Sequence, residues 1–195
     1  MDPCTRSAMA RDQLGPEDQE CLARLRAGDR AAFQTVVRPL LPSLLALGRR
    51  LTGDSHWAED LVQETLVRAF GSIEGFRGDG SLRTWLFRIQ VRLAGQDRRR
   101  RRRDGEKELL PLEVPDHMAS DPEQESRERE LAERLDEAME RLTHRQRTAL
   151  HLRAVEGLDY ATIAGVVGGT AVAARMSVLA ARRRVMQRMG RYLRP

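Results

Sequence analysis

Residues 81–103 read SLRTWLFRIQVRLAGQDRRRRRR, and the fold of the chain turns on that stretch. Leu82, Trp85, Leu86, Ile89 and Leu93 recur at helical spacing and share one side of an amphipathic helix. Ser81, just ahead of them, stands where an N-cap belongs. Arg83, Arg88 and Arg92 fall off the apolar side, and six consecutive arginines close the helix. A helix seated in a core and ending in so dense a positive charge suits docking on a polyphosphate backbone. One or two basic residues would already complement the negative end of a helix, and six exceed that need. Six arginines also wrap the whole circumference, so one partner cannot meet them all. A membrane surface or an acidic protein would attract them too.

The charge around this helix is laid out in blocks. Residues 77–103 carry ten arginines against two acids, residues 104–140 fourteen acids against four bases, and residues 141–195 eleven arginines against two acids. Two basic blocks separated by an acidic one suggest two docking modules on a tether, which the net charge of +5 conceals. At 195 residues the chain holds one ordinary domain or two small ones. Aromatics make up only 4%, so the core is built mainly of Leu, Val and Ala, a composition that favours helices. Lys107 is the single lysine, and arginine suits bidentate phosphate contacts.

Cys4 and Cys21 have neither metal-ligand spacing nor a CxxC pattern, and the four histidines are scattered. No metal site, cofactor or catalytic residue is therefore expected. The first residues are acidic and lack an apolar signal core. The early apolar run 39–48 is too short to span a bilayer. A reducing cytoplasm, with no membrane contact of the chain's own, is the expectation.

In chain order, residues 1–16 form a disordered lead without periodicity. A short helix over 17–27 ends at Gly28, and Asp29 caps a helix over 30–51 that Pro42 kinks or breaks. A third helix, SHWAEDLVQETLVRAF, buries Ala58, Leu61, Val62, Thr65, Leu66 and Ala69. Asp60, Gln63, Glu64 and Val67 share its opposite face, where Val67 among polar neighbours hints at a protein contact. The loop GSIEGFRGDG, 71–80, supplies glycines for unusual backbone angles, with Phe76 as a stacking surface and Arg77 as a cation. Phe76 tucked inward, in a plain surface loop, is the competing reading.

Prolines among acids make residues 104–126 a flexible acidic linker. A helix follows over 125–142, and Thr143 caps the next, from His144 to about Val155. Residues 160–179, YATIAGVVGGTAVAARMSVL, have a helix-turn-helix arrangement with a small residue, Ala164, at the crossing and Gly168 at the turn. In the second helix Ala174, Val178, Ala181, Val185 and Met189 form the buried stripe, with Arg175, Ser177, Arg182 and Arg183 off it. Such a helix lies in a major groove.

Together RAGDRAAF, LTGD, AEDLVQETLVRAF, FRGDGSLRTWLFRI and LTHRQRTALHLRAVEGLDYATIA resemble an extracytoplasmic-function (ECF) sigma factor of the sigma-70 family. The resemblance covers about nine-tenths of the chain, and the set is far more specific than any one piece. It implies an all-α protein of two small helical domains, region 2 over 17–103 and region 4 over 127–195. It implies that Asp60, Gln63, Glu64 and Val67 grip the clamp helices of the RNA polymerase largest subunit. By the same likeness Phe76, Arg77, Ser81, Arg83, Thr84, Trp85, Arg88 and Arg92 meet the −10 element. Thr170, Arg175, Ser177, Arg182 and Arg183 then dock on promoter DNA at −35. An anti-sigma factor, frequently membrane-bound, is the further implied partner of a cytoplasmic bacterial protein.

The run from Val172 to Ser177, VAARMS, departs from the Gly-Thr-Val-Lys-Ser-Arg-like run of family members. Arg175 keeps the charge, so the expectation is backbone docking with little base reading. Two other readings stay open. One is a stand-alone helix-turn-helix regulator, which leaves the AEDLVQET face and TWLFRI unexplained. The other is a sigma-like protein that binds polymerase or an anti-sigma factor without directing transcription.

Overall fold

Gly28, at φ 76°, ends a helical turn over residues 23–26, and Asp29 opens the next helix, its carboxylate accepting from the amides of Ala31 and Ala32 at 2.9 and 3.0 Å. The computed structural model describes residues 23–76, 80–103, 130–131, 134–139 and 141–190, without the side chain of residue 102. The disordered lead, the acidic linker and Arg77, as read from the sequence, lie outside the described residues. Among the described residues all regular structure is helical. By their contacts they group into two units, the described residues of 23–48 and 56–103, and those of 49–55 and 130–190.

In the first unit, α1 (Arg30–Val37) passes through a 3₁₀ turn (Arg38–Leu40) into α2 (Leu41–Thr52), whose residues from 49 onward group with the second unit. The sequence predicts a helix kinked or broken at Pro42; the break falls earlier, at Pro39. Pro39 lies in the first positions of the 3₁₀ turn, and Pro42 in the first turn of α2, where its missing amide has no helical partner to lose. Two prolines so placed start elements rather than bend one. Segment 30–52 is long and apolar enough to cross a membrane by composition. Its Phe33, Val36, Val37, Leu40, Leu44 and Leu47 are instead buried inside the protein.

Helix α3 (Ser55–Gly71) buries Ala58, Leu61, Val62, Thr65 and Ala69. Phe33 of α1 meets Phe70 of α3 edge to face, ring centroids 5.3 Å apart. Helix α4 (Leu82–Arg103) starts as its sequence predicts, Ser81 Oγ accepting the Thr84 amide at 3.2 Å. Its interior side is wider than the apolar periodicity suggests. Phe87 and Gln90 are fully buried beside Leu82, Leu86, Leu93 and Ala94, while Trp85 and Ile89 are only half-buried. The buried amide of Gln90 donates to the carbonyl of Leu44 at 2.8 Å, tying α4 to α2. Gly48 makes that approach possible. A Cβ there would stand 3.2 Å from both Gln90 Nε2 and the carbonyl oxygen of Ala58 on α3.

In the second unit, Met139 and Leu142 enter a core with Ala181. Thr143 and Gln146 form a reciprocal capping box that starts α5 (His144–Ala154). The Arg147 guanidinium, itself buried, donates to the Met139 carbonyl at 3.2 Å. Asp159 caps α6 (Tyr160–Val167) and Thr170 caps α7 (Ala171–Met189), and the two helices cross at 93°. Helices α5, α6 and α7 pack on one another. Ala174, Val178, Ala181 and Met189 carry the buried stripe of α7. Gly168 and Gly169 make the turn with φ of 83° and 96°, angles that a residue with a Cβ rarely adopts.

Candidate nucleic-acid interface

The outer face of α3 is set by helical geometry. With Ala58, Leu61, Val62 and Thr65 committed to the core, Asp60, Gln63, Glu64 and Val67 must face outward, and all four are exposed. Val67 stands 68% exposed between charged neighbours. Glu64 holds Arg68 one turn on at 2.6 Å. The face is thus polar with one apolar centre.

The loop before α4 corrects one expectation. Phe76 offers no stacking surface: it is 6% exposed, its ring lies 5.2 Å from that of Trp85, and the Arg26 guanidinium donates to its carbonyl at 2.9 Å. An aromatic ring in a loop is more useful to a small core short of aromatics than to solvent. The neighbouring half-buried groups are Ser81, Thr84 and Trp85, with the Ser81 and Thr84 hydroxyls 2.9 Å apart. Arg83 lies over the Phe87 ring at 5.4 Å, and its partial burial pulls its pKa down from the usual value. Arg88 and Arg92 are exposed along the same helix. Near its basic end Arg101 covers the Trp57 ring at 3.8 Å, a contact with no local sequence signal.

In the second unit Arg175, Arg182 and Arg183 stand on the exposed side of α7. The hydroxyls of Thr170 and Ser177 are each held by the backbone of Ala173, in opposite senses. Thr170 Oγ1 accepts the Ala173 amide at 3.2 Å, and Ser177 Oγ donates to the Ala173 carbonyl at 2.9 Å. Two supports escape sequence reasoning because they join residues far apart in the chain. The Arg145 guanidinium donates to the Gly168 carbonyl at 2.7 Å, holding the turn, and Arg184 donates to Gln146 Oε1 at 2.7 Å, tying α7 to the start of α5. They fix the angle at which α7 leaves the turn.

An exposed, arginine-lined second helix crossing the first near a right angle, paired with a separate helical unit ending in arginines, defines a two-module protein that docks on duplex DNA. The family description "Sigma-70 region 2" matches residues 36–104, and "Sigma-70, region 4" matches residues 132–185. The chain is 32% identical over 159 residues to the RNA polymerase sigma-H factor of Pseudomonas aeruginosa, covering 77% of this chain and 82% of that protein. It is 32% identical over 158 residues to the ECF RNA polymerase sigma-E factor of Haemophilus influenzae, covering 77% and 83%. The chain belongs to the ECF sigma factors of the sigma-70 family: it binds RNA polymerase and promoter DNA and directs transcription initiation. Among solved structures it is similar to the sigma factor RpoE from Bartonella quintana, co-crystallised with the anti-sigma factor NepR. That likeness has a TM-score of 0.64 and 26% identity, covering 81% of this chain and 96% of the other.

Proposed function

We propose a division of labour for the residues of this sigma factor. Region 2 spans 17–103, region 4 spans 127–195, and residues 104–126 tether them. Asp60, Gln63, Glu64 and Val67 bind the clamp helices of the largest polymerase subunit. Ser81, Arg83, Thr84 and Trp85 at the start of α4, with Arg77, Arg88 and Arg92, meet the −10 strand. Phe76 acts beneath them, as packing that holds Trp85. Arg175, Arg182 and Arg183 dock α7 on the −35 duplex, with Thr170 and Ser177 fixing its first turns. The protein works in the cytoplasm as a dissociable subunit with no catalytic chemistry of its own. A cognate anti-sigma factor holds it inactive, as the NepR-bound relative suggests, and would keep it at the inner membrane if membrane-bound.

The observation that carries this reading is the α3 face, where an exposed Val67 sits among Asp60, Gln63 and Glu64 with no role in the core. A stand-alone DNA-binding regulator has no use for it. Asp60→Ala with Gln63→Ala should weaken binding to core polymerase at least tenfold and leave the melting temperature within a few degrees. Unchanged affinity for core enzyme removes the assignment of this face. A collapsed melting transition makes it structural.

A further inference from the structure

We propose that Val172 and Met176 read the methyl groups of neighbouring thymines in the upstream promoter element. The inference rests on the promoter reading above and goes beyond the docking contacts given there to the source of sequence preference. Val172 and Met176 are 71% and 59% exposed on the first turns of α7, and Leu179 continues the same stripe. The opposite side of the helix is buried at Ala174, Val178 and Ala181, so the stripe is the outermost part of the domain here. In a helix-turn-helix it is the N-terminal part of the second helix that reaches the base edges.

The hydrogen-bonding inventory of this surface is short. Ser177 Oγ spends its proton on the Ala173 carbonyl, and Thr170 Oγ1 accepts the Ala173 amide, which leaves Thr170 one proton to donate. Arg175 is the one exposed cation in the first two turns, and Arg182, Arg183 and Arg184 follow further along. A duplex offers one apolar group in its major groove, the C5-methyl of thymine, so an apolar side chain that enters the groove discriminates through it. Val172 and Met176 are four residues apart, about 6 Å along the helix. Base pairs are spaced about 3.4 Å apart, so the two side chains address methyls within about two steps of each other. Helix α7 contains no acidic residue, and its arginines flank the stripe. That charge suits a polyanion, and duplex DNA is already a partner of this domain.

Deoxyuridine supplies the test, because it differs from thymidine only by the methyl group. Holoenzyme assembled from core polymerase and the full chain is offered templates randomised across the upstream element. The templates that support run-off transcription are then sequenced. Thymine should be enriched at two positions within about two steps. Replacing each by deoxyuridine should lower open-complex formation about fourfold, the worth of one buried methyl. Val172→Ala with Met176→Ala should lose about sixteenfold on the thymine template, both contacts together, and become indifferent to deoxyuridine. Val172→Thr keeps a γ-methyl and should retain the sensitivity. Both positions are exposed, so these variants should melt as the parent does.

No thymine enrichment, or no effect of deoxyuridine on the parent, overturns the inference and leaves the sigma-factor reading intact. So does a double variant that stays sensitive to deoxyuridine. Loss of transcription in the double variant, with the parent indifferent to deoxyuridine, would show that a protein surface covers the stripe instead. Failure of every template to start transcription overturns the promoter reading and this inference with it.

Discussion

Phe76 and Asp29 show how much of this protein rests on single side chains. Phe76 fills the space beneath Trp85 and has its carbonyl held by Arg26. Phe76→Ala should therefore destabilise the fold by about 3–5 kcal/mol, read as a shift in thermal or denaturant unfolding. A variant of unchanged stability that fails only in promoter opening would return the ring to the role its loop position suggests. Asp29 sits on the helix side of a similar balance. Its carboxyl is held below the usual value of 3.8, chiefly by the Ala32 amide and then by the Arg24 guanidinium. A lowered folded pKa stabilises at pH values above the unfolded one, and that contribution is lost as pH falls through the folded value. Asp29→Asn should flatten the part of the acid unfolding curve below about pH 4, with little change in its shape at neutral pH. A parent and variant with parallel acid limbs would remove the cap from the pH account.

At the scale of elements, α7 separates position from preference. Arg182 and Arg183 lie two turns beyond Arg175, where a groove-bound helix passes phosphates. Arg182→Ala with Arg183→Ala should weaken binding about equally on all upstream sequences and flatten the log-affinity against log-salt slope by roughly two. Sequence-selective loss would move these arginines onto base edges. The helices themselves were largely legible. Ser81, Thr143 and Asp29 announce their caps through local chemistry, and Ala174, Val178, Ala181 and Met189 announce the buried side of α7 through spacing. What stayed hidden depends on partners distant in the chain. Gln90 is buried because Leu44 offers a carbonyl, Phe76 turns inward because Trp85 and Arg26 receive it, and the turn at Gly168 is held by Arg145. Periodicity counts neighbours on one element and is blind to these. The break at Pro39 rather than Pro42 is hidden for a different reason: two prolines three residues apart can each start an element, and either position satisfies the local rules.

For the whole molecule the arrangement of charge matters more than its sum. The arginine-rich blocks at 77–103 and 141–195 both carry the charge that suits a polyanion, and the segment between them is strongly acidic. The like sign of DNA and this acidic segment should suppress binding by the free protein before polymerase is engaged. Neutralising Glu106, Glu108, Glu113 and Asp116 should raise the DNA affinity of the free protein at low salt and fade by about 0.5 M, as screening requires. Equal affinities at low salt would leave the segment as a spacer only.

The stacking of Arg101 on Trp57 has an optical consequence. The chain contains two tryptophans, one under an arginine of the basic helix end and one against the ring at the mouth of the loop. Each therefore watches a different surface from inside the molecule, without a dye. Phosphates that draw Arg101 off the Trp57 ring expose that indole to water and move its emission to longer wavelength, whereas rearrangement of the loop changes the packing of Trp85. With Trp57→Phe and Trp85→Phe variants to separate the two signals, stopped-flow fluorescence can time events at the basic helix end and at the loop independently, without an added label.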